Sequence, residues 1–365
     1  MMSKTEKTTK TPLFHIAKRA PLPWYCGLGV RAIAIVLALL LSAVVITLLT
    51  QKNPLEVYGS MISGALGSTT RIWNLAQDIA ILLCISLAVT PAFKMKFWNC
   101  GAEGQVLVGG LATVMVMMFL GGKMPTPVLL LVMIGASIFA GIIWALLPAI
   151  AKAIWNTNET LFTLMMNYVA IQLVAYFLKR FVKSGSGVLS PMPEYGLPVI
   201  GDMPYLLNIL IVLALTIVVY IYLKYSKQGY EISVVGESEN TAKYIGINVK
   251  KVVMRTLVVS GAICGIAGLL LVGGTNHTIS TTTAGGRGFT AIMVSWLAKF
   301  NPFIMIVTTF LIVFLDKGAQ QISTDFRIPS AISDIITGII LFFIIGCEFF
   351  LQYKIIFTKH RKENE

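Results

Sequence analysis

Side chains able to handle a polar solute are scarce in this chain and gather in three places. The first is Trp98-Asn99-Cys100-Gly101-Ala102-Glu103-Gly104-Gln105, where Asn99, Glu103 and Gln105 stand among small residues at the head of an apolar run. A charged side chain at mid-bilayer costs about 2.5–3.5 kcal/mol, so such residues face a cavity or a partner. Two readings stay open for Glu103: a helix N-terminus lining a solute path, or an interfacial helix start whose acid favours the helix dipole. The second place is Asn158-Glu159-Thr160, a helix start, with Asn167 seven residues beyond Thr160 on the same helical face. Asn167 either hydrogen-bonds across helices or meets solute. The third is Val234 to Lys251, VVGESENTAKYIGINVKK, polar and punctuated by glycine between the apolar runs Pro204–Leu223 and Val252–Val272. A compact water-facing helix held between two spans implies something in the cytosol for it to touch.

Other chemistry is excluded by what is missing. The sequence holds no G-x-x-x-x-G-K-[ST] loop, and Gly121-Gly122-Lys123 is followed by Met124, so no P-loop cradles a nucleotide. No Ser/His/Asp or Cys/His set assembles on one membrane side. Cys26, Cys84, Cys100, Cys264 and Cys347 lie singly in or near apolar segments and read as packing residues. His15, His277 and His360 are dispersed, which leaves a metal site unsupported. Asp78, beside Asn74 and Gln77, reads as a cap or packing residue near the outer interface. Asp334 and Glu348 flank the core of the last span and receive no role. Ala284-Gly285-Gly286-Arg287-Gly288-Phe289 reads as a flexible turn or helix break rather than a phosphate nest. Gly261, Gly265 and Gly268 lie in a run of small residues suited to close packing against another helix, in the same chain or a twin.

The elements that must position these residues are membrane spans. Hydrophobic residues make up 56% and charged residues 12%, too few to cover a soluble domain of this size; mean hydropathy is +0.80. With about 20 apolar residues per crossing, spans are expected at Arg31–Thr50, Ile72–Phe93, Glu103–Leu120, Pro127–Ile150, Thr160–Leu178, Pro204–Leu223, Val252–Gly273, Asn301–Ala319 and Ala331–Tyr353. A tenth, shorter element over Arg287–Ala298 is either completed by Thr281–Gly286 or broken and partly re-entrant. The fold class is thus all-α integral membrane with about ten transmembrane helices. Its parts are a cytoplasmic segment 1–30, a transmembrane domain 31–353 and a cytoplasmic tail 354–365. The first apolar run is a full span with no signal-peptide cleavage site ahead of it. Lys4, Lys7, Lys10, Lys18 and Arg19 at one end, and Lys354, Lys359, Arg361 and Lys362 at the other, keep both termini inside. The loop Lys179–Met203 then falls outside against the rule, unless Lys179, Arg180 and Lys183 cap a span end. The net charge of +13 reads as topology and contact with anionic lipid, with no nucleic-acid partner.

With these residues in view, the chain resembles the membrane permease subunits of ABC importers, and among them the bacterial nucleoside-type permeases related to sugar and branched-chain amino-acid permeases. The likeness runs from about Leu55 to Gln320. It rests on Asn99, Gly101, Ala102, Glu103, Gly104 and Gln105, with Cys100 where Ile is usual. Further matches are Asn158 and Glu159 followed by Thr163, Leu164, Met165, Asn167 and Tyr168. In the polar segment (231–251) they are Gly236, Glu237, Ala242, Tyr244, Gly246, Ile247 and Asn248, with Ser238 and Thr241 as departures. The last set is Ser260, Gly261, Ala262, Ala267, Gly268, Gly288, Phe289 and Ile292, followed by the departure Ser295-Trp296-Leu297.

The resemblance implies a large-type importer permease with an inverted repeat, in a bacterial cell membrane. It also implies transport of nucleosides or nucleobases together with a second permease, two cytosolic ABC ATPase subunits and an extracellular solute-binding lipoprotein. No cofactor would be bound by this chain, and ATP would be used by the partner ATPase, so the chain is not itself an enzyme. ATPase coupling would fall to Glu237, Ala242, Tyr244, Gly246 and Ile247. There Glu237 would start a short helix, Ala242 would admit the ATPase groove and Gly246 would end the helix. The substrate path would fall to Asn99, Glu103, Gln105, Asn167 and Phe289. A monosaccharide permease of the same class, and a stand-alone ion-coupled carrier, are the alternatives.

Overall fold

A computed structural model describes residues 14–19, 23–182, 189–201, 203 and 205–357. The basic residues at 4, 7, 10, 183, 359, 361 and 362 therefore lie outside the described residues. Thirteen helices follow in chain order among those described: α1 (Trp24–Thr50), α2 (Pro54–Leu66), α3 (Thr69–Lys94), α4 (Ala102–Leu120), α5 (Thr126–Trp155) and α6 (Glu159–Phe181). Then come α7 (Leu206–Tyr225), α8 (Lys227–Glu237), α9 (Glu239–Tyr244), α10 (Val249–Leu271), α11 (Arg287–Leu297), α12 (Pro302–Phe326) and α13 (Ser330–Gln352). Nine of these are long and apolar enough to cross a membrane; α2, α8, α9 and α11 are not. Local chemistry sets where several begin. Ser68, Asn158, Ser226, Ser238 and Asn248 each cap a helix, their side-chain oxygens accepting the N–H three residues on. Lys179 and Arg180 sit in the last turn of α6, where cations suit the helix C-terminus.

Two compact units emerge. One comprises residues 1–64 and 315–365, the other 65–314. In the first, α1 packs along α13, and Arg31 pairs with Glu348 at 2.5 Å, giving that acid a partner. Tyr58 on α2 donates to the Leu39 carbonyl at 2.6 Å. A two-stranded antiparallel ribbon, β1 (Phe14–Lys18) with β2 (Tyr353–Phe357), adds the one sheet among the described residues to an otherwise helical chain.

In the second unit α10 is the axis. The small-residue run meets neighbours in its own chain: a Cβ on Gly261 would collide with the Gly141 carbonyl of α5, one on Gly265 with Ser137, and one on Gly268 with Val106 of α4. In lipid, helices associate through such close packing rather than through hydrophobic exclusion. On its other side α10 lies against α3, where the Cys84 thiol meets the Ile263 carbonyl at 3.8 Å.

The tenth element is half coil and half helix. It leaves α10 through a π-turn, Val272–Asn276, where Thr275 is hydrogen-bonded to Gln77 near the start of α3. It then follows α3: Arg287 pairs with Asp78 at 2.9 Å, and Ser295 shares a hydrogen bond of 2.9 Å with Thr90. The coil between Thr275 and Arg287 begins and ends beside Gln77 and Asp78, and only α11 runs along α3, from Asp78 to Thr90. The nine long helices are thus joined here by one short helix, α11, of 11 residues. β1 and β2 pair next to the start of α1 and the end of α13.

Replacing Gly261 with Leu is expected to part α5 from α10, an overpacking cost of about 1–3 kcal/mol or more. Detergent-solubilised protein should then melt several degrees lower than the Gly338→Ala control, whose Cβ meets nothing within 4 Å; equal melting would remove the seam from the account.

Candidate functional site

Between α3 and α4 the chain abandons helix for residues 95–101, yet Met95, Phe97 and Asn99 are buried. Unpaired backbone at membrane depth is tolerated only when protein or a water-filled cavity covers it. Here polar side chains supply the missing bonds. The Cys100 N–H donates to Thr163 Oγ1 at 3.2 Å, and the Cys100 carbonyl accepts from Asn167 Nδ2 at 2.8 Å. Gly104 N–H donates to Asn167 Oδ1 at 2.9 Å, and Gly101 N–H to Asn99 Oδ1 at 3.1 Å. Asn99 in turn donates to Ser260 on α10 at 3.2 Å and accepts from Gln105 Nε2 at 3.2 Å. Asn99 and Asn167 therefore stand in for the turns of helix that residues 95–101 lack.

Glu103 does more than open α4. Its Oε1 accepts from the Gly286 N–H at 2.7 Å and its Oε2 from the Gly288 N–H at 2.8 Å, so it caps the first turn of α11. Both helix N-termini direct their positive ends at one carboxylate. Each hydrogen bond to a charged group contributes about 1.5–3 kcal/mol. Two of them offset the roughly 2.5–3.5 kcal/mol that a charge at this depth costs. The acid serves the dipole of its own helix, as one sequence reading has it, and also that of a helix far away in the chain. The Gly285-Gly286 pair in front of α11 is the helix break, with φ of 61° and 76°.

Exposure separates the five path candidates. Asn99, Gln105, Asn167 and Glu103 are 0%, 1%, 4% and 8% exposed, whereas Phe289 is 48% exposed. The structure brings the first four together behind the wall and leaves Phe289 on an open face of α11 with Met293 and Trp296. Trp296, at the departure from the family pattern, stacks on Trp98 with ring centroids 5.8 Å apart, and Phe93 packs edge-on against both. Gln105 Oε1 is buried without a protein partner. Thr163, Ser260 and Arg287 escaped the list of sequence candidates. Thr163 was visible only as a motif position, and nothing in its spacing says that it faces the Cys100 amide.

The polar segment between α7 and α10 is two helices rather than one. Glu237 closes α8 instead of starting a helix; Ser238 caps α9, and Glu239 supplies the acid of its first turn. Gly246 does end α9. With φ at 84°, it donates to the Lys243 carbonyl at 3.1 Å while Ile247 N–H donates to the Ala242 carbonyl at 2.9 Å, the paired bonds of a Schellman stop. Ala242 is fully buried within this chain, so the close approach it permits is to its own neighbours. The face left to water carries Glu239, Lys243, Ile245 and Tyr244, the last 93% exposed. On the other side Gly236 lies flat on the last carbonyl of α3, at Lys94, where a Cβ would collide. Beside Gly246 opens a groove of about 560 Å³, lined by Lys227, Ile247, Lys251 and the Arg255–Glu231 ion pair.

No cluster of three or more metal-binding side chains occurs among the described residues. The site thus combines a helix break at residues 95–101, completed by side chains, with an exposed helix pair, α8–α9, that rests on the end of α3.

Known proteins agree with this geometry. The family described as branched-chain amino acid transport system / permease component matches residues 71–345, more than half of the chain. Among curated proteins, a glucose ABC transporter permease protein of Haloferax volcanii (TsgB13) is 26% identical, the match covering 95% of this chain and 94% of the relative. The guanosine ABC transporter permease protein NupP of Bacillus subtilis is 28% identical over 86% and 92%. The nucleoside ABC transporter permease protein NupB of Lactococcus lactis is 27% identical over 86% and 90%. The chain belongs to the branched-chain amino acid transport system permease family, as a multi-pass ABC transporter permease of the nucleoside and sugar kind.

Proposed function

We propose that this permease imports nucleosides or nucleobases, together with a second permease, two cytosolic ATPase subunits and an extracellular solute-binding lipoprotein. The observation that carries the reading is the α8–α9 unit. It is a preformed pair of helices between two spans, closed by Gly246, with Tyr244 held out into water. Such a surface has no use to an isolated conduit and suits a partner that pushes. α8–α9 and both chain ends lie on the cytoplasmic side of a bacterial membrane, in keeping with the basic flanks. ATP-driven closure of the partner moves α8, and the spans rock between outward and inward access. Solute passes along the open face of α11, where Phe289 lies. Asn99, Glu103 and Asn167 act from behind, by holding the broken backbone in shape, and the spare acceptor of Gln105 is the motif atom left for solute or water.

The choice of nucleoside over sugar rests on the guanosine and nucleoside permeases among the relatives; the glucose permease keeps a monosaccharide as the second reading. In vesicles carrying the whole transporter, unlabelled nucleosides are expected to compete with labelled guanosine, and glucose is not. Competition by glucose alone would hand the site to sugars. Gly246→Trp forces a bulky residue into a left-handed backbone. It should reach the membrane yet lose uptake and solute-stimulated ATP hydrolysis, whereas undiminished stimulation would detach α9 from the ATPase. Asn167→Leu strips two backbone groups of their partners at about 1–3 kcal/mol each. Its expected signature is a lower melting temperature with little change in the solute concentration for half-maximal uptake; a shift in that concentration with unchanged melting would make Asn167 a solute contact.

A further inference from the structure

The Glu103 motif and the glycine-rich stretch before α11 stand 183 residues apart and end on one side chain. We propose that Glu103 is the joint through which movement of α8 reaches α11, a positioning residue rather than a solute contact. The coupling half of this inference rests on the reading of α8–α9 as the ATPase lever.

The contacts form a continuous line. Gly236 near the end of α8 presses on the Lys94 carbonyl, so α8 cannot move toward α3 without moving the end of α3. Residues 95–101 have no slack to absorb that movement. Phe97 N–H is bonded to the Ala92 carbonyl at 2.9 Å, and Cys100 is held at both its N–H and its carbonyl. The displacement therefore arrives at the first turn of α4, where Glu103 grips the N–H groups of Gly286, the N-cap of α11, and of Gly288 in its first turn. Two bonds from one carboxylate fix the direction of a helix axis as well as its position. Arg287–Asp78 and Ser295–Thr90 hold the same helix to α3, so α11 is clamped to α4 at its head and to α3 along its side. Under this clamp α11, with Phe289 on its open face, is carried by the stroke instead of lagging behind it.

Glu103→Gln keeps the size of the side chain but offers one acceptor oxygen to two N–H donors, and turns an NH2 toward the other. In reconstituted transporter the expected result is roughly tenfold slower maximal guanosine uptake, with the half-saturating concentration changed by less than about twofold. Basal ATP hydrolysis should persist and stop responding to solute. Hydrogen exchange of residues 284–297 should quicken while α5 and α10 keep their rates. Glu103→Asp retains both acceptors on a shorter stem. It should fall between the two, with partial uptake and partly quickened exchange, and it decides the matter if the Gln variant does not accumulate. A raised half-saturating concentration at full maximal rate would make Glu103 a solute contact and overturn the proposal. Unchanged exchange over 284–297 in both variants would overturn it as well. The exchange measurement needs no ATPase. A chain found to carry guanosine without one would remove the coupling step and the lever reading together, and would leave the α4–α11 joint to be judged by exchange alone.

Discussion

Hydrocarbon offers no hydrogen bonds, and the whole arrangement of this permease answers to that fact. A straight helix satisfies its own backbone, and most of the chain takes that route. Two stretches around the site do not: residues 95–101 and the coil ahead of α11. Each is completed by side chains from elsewhere: Thr163 and Asn167 from α6, Asn99 within the break itself, and Glu103 for the head of α11. The polar residues of an apolar chain are thus spent largely on its own backbone. What α11 leaves exposed is a face of aromatic and thioether side chains, Phe289, Met293 and Trp296.

The seam between α4, α5 and α10 makes those breaks affordable in space. Helices that approach through Gly141, Gly261 and Gly265 bring Ser260 within reach of Asn99, and larger side chains would hold the network apart. Packing and polar chemistry are here one problem. The glycines set the spacing of the helices, and that spacing decides which amides can meet.

Much of this was legible in the residues. The nine long spans follow from runs of apolar residues, and their ends from Ser68, Asn158 and Asn248, whose side chains cap whatever helix follows. The Gly246 stop was readable too, because a glycine after a short polar helix has few other uses. The roles of the interior polar residues were not. Sequence marks Glu103 and Asn167 as costly to bury, but cost alone does not say whether the repayment comes from solute or from backbone. The meeting of Glu103 with Gly286 and Gly288 supplies backbone partners that no local pattern encodes over that separation. Glu237 was misplaced for a related reason. An acid beside a helix boundary suits the start of the next helix, but Ser238 is the better cap, and Glu237 was left to finish the preceding one.

The pairing of Phe14–Lys18 with Tyr353–Phe357 bears on how the protein is made. Strand β1 leaves the ribosome long before β2, and α1 must likewise wait for α13. The unit that joins α1 to α13 stays open until α13 and β2 have been made. Throughout that interval α1 lacks α13, so a ribosome stalled before the last helix would leave Arg31 without Glu348.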